Sequence, residues 1–281
     1  MSKVIVSAAL TGVLASRDQC PHIPYTPEEI ALEARRAYDE GAAIVHIHAR
    51  EDDGSPSFRP ERYQEICAAV RARCPVLINL STGAVGLSKE QRIAHIPYCR
   101  PDIAALNMGS MNYAIYSARR KRFLLDFVFQ NPFHEISHFV QTMAEADVRP
   151  ELECFDSGHI ANVQPLVDQG LLQQPLQFSF IMGVLGGIPA TVRDLVHQAG
   201  SIPRGSVWQV VGIGSEQWAM VAAALAMGGH VRVGLEDNFY LAPGQMASGN
   251  GALVAKAVRM ARDVGREPAS VEEARVLLGL V

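Results

Sequence analysis

A chain of 281 residues with 48% hydrophobic content can bury one enzyme-sized core, and its length falls within the range of a single α/β barrel. A formal net charge of −4 excludes the basic excess expected of a nucleic-acid binder, and no apolar run reaches membrane-spanning length. Five cysteines without a Cys-x-x-Cys pair argue against both a disulfide framework and a thiolate zinc cluster, so reduced, buried thiols are expected. The amino terminus opens on strand-like residues without the basic and apolar regions of a signal peptide, which predicts a cytoplasmic protein.

In chain order, Val4 to Leu10 reads as a first strand. Thr26-Pro27-Glu28-Glu29 then opens a helix as a capping box with proline in the first turn, Ile30, Ala34 and Ala37 form its apolar stripe, and Gly41 ends it. A second strand, Ala43 to His48, precedes a helix over Arg59 to Arg73. Val76 to Leu80 and Ile103 to Leu106 follow as strands around a short helix at Ser88 to Ile96. The alternation continues with helix Glu135 to Ala146, strand Arg149 to Phe155, helix His159 to Gln169 and strand Leu176 to Met182. Helix Thr191 to Ala199, strand Ser206 to Val211, helix Glu216 to Met227 and strand His230 to Leu235 complete eight strands. A helix at Ala252 to Val264 and a short additional C-terminal helix at Val271 to Leu278 close the chain.

Eightfold alternation favours one TIM (β/α)8 barrel over residues 1–281 rather than an open doubly wound sheet. The long irregular stretches, including Glu51 to Pro60, Ser81 to Leu87, Asn107 to Pro132 and Gly183 to Pro189, follow strands and so fall on the carboxyl-end face.

His46 and His48 lie on one face of the second strand by its period of two. Arg232 and Glu236 share a face near strand eight, with Asp237 next in sequence, and barrel closure brings strand eight beside strand one and close to strand two. Two imidazoles and the Glu236 carboxylate make a three-ligand metal site with open positions, suited to zinc, iron(II) or manganese. Arg232 needs an anionic partner at that depth, either as a structural pair with Glu236 or Asp237 or as an orienter of an acidic group. Glu151 and Glu153 share a strand face, from which one can meet Arg232; His230, early in its strand, reads as a core residue.

These segments fall into a pattern: Thr11-Gly12, Val45-His46-Ile47-His48-Ala49-Arg50-Glu51-Asp52-Asp53-Gly54, Ser81-Thr82-Gly83, Asn107-Met108-Gly109-Ser110 and Gly229-His230-Val231-Arg232-Val233-Gly234-Leu235-Glu236-Asp237-Asn238. In that order they resemble the β-keto acid cleavage enzymes, the family that includes 3-keto-5-aminohexanoate cleavage enzyme, over essentially the whole chain. The resemblance implies a zinc-dependent TIM barrel, usually a homotetramer, that converts a 3-oxo acid and acetyl-CoA into acetoacetate and a new acyl-CoA. It implies one Zn2+ per subunit on His46, His48 and Glu236, with Asp237 as base and Arg232 tuning or orienting it. It also implies substrate binding around Ser81, Thr82 and Gly83, near Leu14 and Asn107. In the family reaction a substrate carbanion attacks the acetyl thioester, CoA migrates, and retro-Claisen cleavage releases acetoacetate.

Two positions depart from that pattern. Leu14 stands where the aminohexanoate enzyme has a glutamate that meets an ammonium, and Ala105 where it has a threonine in contact with substrate. A neutral, more apolar tail is therefore expected, with an anionic tail kept open by the basic run Arg119 to Arg122. That run is otherwise a solvated face, or a contact for CoA phosphates. The glycine turns Gly183 to Pro189 and Gly212 to Ser215 read as connections at the substrate or CoA mouth. The alternatives are a metal-dependent hydrolase of the amidohydrolase type, for which the middle strands supply too few histidines, and a noncatalytic metabolite-binding barrel.

Overall fold

Eight parallel strands close into a barrel in the computed structural model, which describes residues 2–280. They are β1 (Val6–Ala9), β2 (Ile44–Ile47), β3 (Leu77–Leu80), β4 (Ile103–Asn107), β5 (Arg149–Cys154), β6 (Gln177–Met182), β7 (Val207–Gly212) and β8 (His230–Val233). Each pairs with its successor, and β8 returns to β1 with Val231, Arg232 and Val233 opposite Val6, Ser7 and Ala8. The expected TIM barrel is therefore present, closed at the seam that brings the two ends of the sequence together.

The helices follow from the signals that predicted them. In α1 (Pro27–Asp39), Thr26 accepts from the Glu29 amide while Glu29 reaches back to the Thr26 amide, and Ile30, Ala34 and Ala37 are buried. The next helix is α2 (Pro60–Arg71). Two expected helices are each split, into α3 (Lys89–Ile93) with α4 (His95–Cys99), and α6 (Ser157–Ala161) with α7 (Gln164–Asp168), on either side of α5 (Phe133–Glu145). Pro97 and Pro165 have no N–H to continue the ladder to Ile93 and Ala161, so both interruptions have a local cause. The outer ring is completed by α8 (Val192–Ser201), α9 (Gln217–Ala226), α10 (Asn250–Asp263) and the tail helix α11 (Val271–Leu278). No helix among the described residues is long and apolar enough to cross a membrane, and all five cysteines are buried and free.

Inside the barrel, chemistry changes along the axis. At the amino-terminal end Ile5, Ile44, Leu77 and Ile103 pack with Val271, Ala274 and Leu278, so α11 closes that end with apolar surface. Above this layer the interior turns polar. Ser7, Asn79, Glu151, Gln177, Ser179 and Gln209 are all buried and linked by hydrogen bonds.

One segment differs from expectation. Met111–Ser117 and Arg122–Phe129 are not irregular but pair as an antiparallel hairpin above β4. Its turn, Ala118 to Lys121, lacks the glycine or asparagine dipeptides that announce tight hairpins, and Lys121 itself adopts φ +50°. The hairpin is docked rather than free: the Ala114 amide donates to the Leu185 carbonyl at 3.2 Å.

At the seam, Gly234 has φ +151°, and a Cβ there would stand 2.1 Å from the Ala9 carbonyl oxygen. Gly234→Ala should therefore lower the unfolding free energy by more than about 2 kcal/mol, toward the upper part of the range for single substitutions. Denaturant midpoints compared with wild type test this, and equal midpoints would mean that the β8 turn can move away from β1.

Candidate metal and catalytic site

The carboxyl ends of β1, β2 and β8 bring together the only His/Cys/Asp/Glu group of metal-binding geometry found among the described residues: His46, His48 and Glu236, whose ligand atoms lie within 4.8 Å of one another. The two rings sit 5.3 Å apart at 70°, and their Nε2 atoms are 3.7 and 3.6 Å from Glu236 Oε1. Two neutral nitrogens and one carboxylate form a donor set that suits a divalent transition metal. Burial, then the Arg232 charge, pushes His46 well below its ordinary pKa, so its ring is an unprotonated donor. Burial opposes ionisation of Glu236, but Arg232 and the imidazoles outweigh it and hold the carboxyl well below the usual range.

The first loop explains why threonine and glycine follow β1. Thr11 Oγ1 accepts from the His48 amide at 2.9 Å and donates to the His48 carbonyl at 2.8 Å, which fixes the backbone carrying that ring. The Gly12 amide donates to Glu236 Oε2 at 3.2 Å. A Cβ on Gly12 would meet Glu236 Cγ at 2.9 Å, and its φ is +54°. Arg50, fully buried, holds this loop by donating to the carbonyls of Gly12 (2.8 Å), Ala15 (2.7 Å) and Gly54 (2.7 Å). Leu14 projects from the same loop and is 54% exposed.

Arg232 is the centre of charge. Its Nε and Nη2 donate to Asp237 at 3.0 and 2.9 Å, Nη2 donates to Glu236 Oε1 at 2.6 Å, and Nη1 reaches Glu153 Oε1 at 3.4 Å. One guanidinium thus faces three carboxylates. Burial raises Asp237 to about 6 against the lowering pull of Arg232, and raises Glu153 to about 8. The site carries an excess of negative charge that a bound cation or protons must offset. Of the two alternatives for β5, Glu153 meets Arg232. Glu151 instead sits in the polar layer below, where Oε2 accepts from Asn79, Gln177 and Gln209 at 2.9, 2.9 and 3.2 Å.

After β3, Ser81 Oγ accepts from the Gly83 amide at 3.1 Å, and Thr82 Oγ1 donates to the Ala105 carbonyl at 2.6 Å. A Cβ on Gly83 would lie 3.4 Å from Ser81 Oγ and 3.7 Å from Asn107 Nδ2, so the turn packs directly against the buried Asn107 amide. Ala105 is buried, two residues below Asn107 on the inward face of β4.

Several residues at the site were not singled out from the sequence. Tyr113, on the hairpin, stands in the field of Glu236, Asp237 and Glu153, with burial the larger cause of a pKa raised to about 12. Its signal in the sequence is the alternation Met111, Tyr113, Ile115 within the long stretch between Asn107 and Pro132. Asn250, at the start of α10, accepts from the Leu235 amide at 2.9 Å, and its own amide N–H donates to Glu33 Oε2 at 2.7 Å, tying the β8 turn to α1.

Other predicted features lie outside this cluster. Arg119 to Arg122 are exposed at the hairpin turn. The Gly183 to Pro189 turn carries Gly186, where a Cβ would fall 1.9 Å from the Asn112 carbonyl, so that glycine permits the hairpin to dock. The Gly214 amide, after β7, donates to the Asp237 carbonyl at 2.8 Å. His230 Nδ1 accepts from the Ile5 amide at 2.9 Å, consistent with a core role. His159 Nδ1 accepts from the Phe155 amide at 3.3 Å, with its ring against Gly109, and takes no part in the metal-binding group.

Comparison with known proteins identifies relatives along the whole chain. The chain is 42% identical to proteins named 3-keto-5-aminohexanoate cleavage enzyme from Fusobacterium nucleatum and Acetoanaerobium sticklandii, covering 100% of this chain and 99% of each relative. It is 34% identical to a 3,5-dioxohexanoate:acetyl-CoA acetone transferase from Paraburkholderia graminis, over 99% of this chain and 96% of that one. The apo structure of ObcA superposes with a TM-score of 0.77 at 21% identity, over 92% of this chain and 66% of that chain, a likeness of fold. Residues 3–280 match the description beta-keto acid cleavage enzyme, and the chain belongs to that family.

Proposed function

We propose that this chain is a zinc-dependent β-keto acid cleavage enzyme that takes a neutral-tailed 3-oxo acid and acetyl-CoA to acetoacetate and a new acyl-CoA. The observation that carries the reading is the convergence of His46, His48 and Glu236 beside the Arg232–Asp237 pair at the carboxyl end of the barrel. A metal bound by the three ligands supplies Lewis-acid polarisation of a β-keto acid carbonyl.

The remaining roles follow from the chain's own groups. Asp237, raised to about 6 by burial, is poised to take a proton from the carbon beside the ketone, and its two contacts with Arg232 fix the carboxylate's orientation. Because Ser81 Oγ accepts from Gly83, its O–H is free to donate to the substrate carboxylate, alongside the Asn107 amide. Thr82, with its hydroxyl on Ala105, shapes that turn. Leu14 faces the tail, and Met111, Phe129, Phe155, Ile181, Val184 and Val211 provide apolar surface at the same end of the barrel. A homotetramer in the cytoplasm completes the reading. Exposed Ile115, Tyr116, Phe123, Leu124 and Val128 on the hairpin offer surface for self-association, and buried free cysteines suit a reducing compartment.

The deciding experiment assays purified enzyme on a panel of 3-oxo acids with and without acetyl-CoA. Acetoacetate should form only when the thioester is present, and neutral tails should give higher kcat/KM than 3-keto-5-aminohexanoate. Leu14→Glu should move that ratio toward the amino substrate, because a carboxylate compensates the ammonium's desolvation where leucine cannot. Turnover without acetyl-CoA would favour a hydrolase. A ratio unmoved in Leu14→Glu would place the tail elsewhere.

His46→Ala and Glu236→Ala should each lose bound metal in elemental analysis while keeping the barrel's circular dichroism. Asp237→Asn should keep the metal and lose about 10²- to 10⁴-fold in kcat, the scale of a positioned acid or base. Full zinc occupancy in both ligand variants would overturn the ligand assignment, and near-normal turnover in Asp237→Asn would move the base to another group.

A further inference from the structure

Two buried polar atoms without a hydrogen-bond partner belong to residues paired across neighbouring strands: His46 Nδ1 and Asn79 Oδ1. The residues are partners in register on β2 and β3, both point inward, and the Asn79 side chain is the polar neighbour of the His46 ring. An orphaned buried donor and an orphaned buried acceptor each cost stability, and a small side-chain adjustment that joins them removes both costs.

The rest of the polar layer dictates which way the amide points. Asn79 Nδ2 donates to Glu151 Oε2 at 2.9 Å, and that oxygen also accepts from Gln177 and Gln209 on the opposite wall. Glu151 Oε2 receives three N–H donors and is therefore an acceptor at that atom, so it holds the Asn79 NH2 group and turns Oδ1 toward His46. Gln209 is itself fixed by Ser7 (2.8 Å) and Ser179 (2.7 Å), so the anchor rests on four strands rather than on one rotamer.

We propose that Asn79, oriented by Glu151, is a positioning residue for His46: its Oδ1 accepts from Nδ1–H, which commits the ring to the tautomer whose Nε2 lone pair faces Glu236 before any metal arrives. This inference rests on the reading of His46 as a metal ligand. The function follows from the two nitrogens of imidazole: a neutral ring that donates from Nδ1 must present Nε2 as its lone-pair donor, and the partner on the far nitrogen also sets the ring's orientation.

Two measurements test it. In metal-free wild type, long-range 1H–15N spectra should show His46 as the Nδ1–H tautomer, with the resonance identified by its loss in His46→Asn. An Nε2–H ring would overturn the proposal, and this readout requires neither metal nor a substituted Asn79. In Asn79→Leu, similar in size but without the acceptor, zinc affinity measured by competition with a chromophoric chelator should fall about 10- to 100-fold. Asn79→Asp, which keeps an acceptor oxygen, should recover part of that loss. Zinc affinity in a folded Asn79→Leu within twofold of wild type would also overturn it. If wild type binds no zinc, the ligand assignment fails by itself, while the tautomer still reports on Asn79.

Discussion

A single buried guanidinium, that of Arg232, sets the terms for the catalytic end of this barrel. It lies on β8 at the seam and faces Glu153, Glu236 and Asp237. Three carboxylates exceed what one cation can neutralise in a region withdrawn from water, and breaking such a cluster by removing one partner leaves an uncompensated charge. The excess has different consequences at each acid. Glu236, next to both imidazoles, is held ionised, whereas burial moves Asp237 and Glu153 toward protonation. Two carboxylates with different proton affinities therefore arise from adjacent residues.

That cluster holds only because the backbone around it is fixed from several directions. The β8 turn passes close to β1 at Gly234 and is tied through Leu235 and Asn250 to Glu33 on α1. The loop after β1 supplies Gly12 to Glu236 and Thr11 to His48, and Arg50 holds the loop through its carbonyls. Arg50 and Arg232 use the same side-chain chemistry differently. Arg50 donates only to backbone carbonyls and shapes a loop, while Arg232 donates only to carboxylates and opposes the effect of burial on their ionisation.

The sequence exposed the parts of this site that depend on short-range periodicity. His46 and His48 share a face because a strand has period two, and Glu236 could be brought to them because eight strands in series imply closure. The hairpin was not legible, since its turn has no strong dipeptide signal and its alternation lies beside a basic run. Tyr113 was lost with it. Asn79 and Asn250 were invisible for another reason: an asparagine within an apolar strand or at a helix start acquires its meaning from partners 72 and 217 residues away. Only the register of assembled strands shows those partners.

The barrel resolves the conflict between stability and chemistry by separating them along its axis. Its amino-terminal end is closed by Ile5, Ile44, Leu77 and Ile103 against α11, where burial of apolar surface stabilises without any polar demand. The middle layer could have been equally apolar, as barrel interiors commonly are, yet it contains Glu151 and five neutral hydrogen-bonding side chains joined to it directly or through Gln209. A buried network of this kind gains little net stability, but it restricts each member to one rotamer and one amide orientation. Such restriction is useful where a ring above must present one particular nitrogen. The polar layer is therefore best understood as the floor of the site, transmitting the fixed geometry of β5, β6 and β7 across the barrel to His46 on β2.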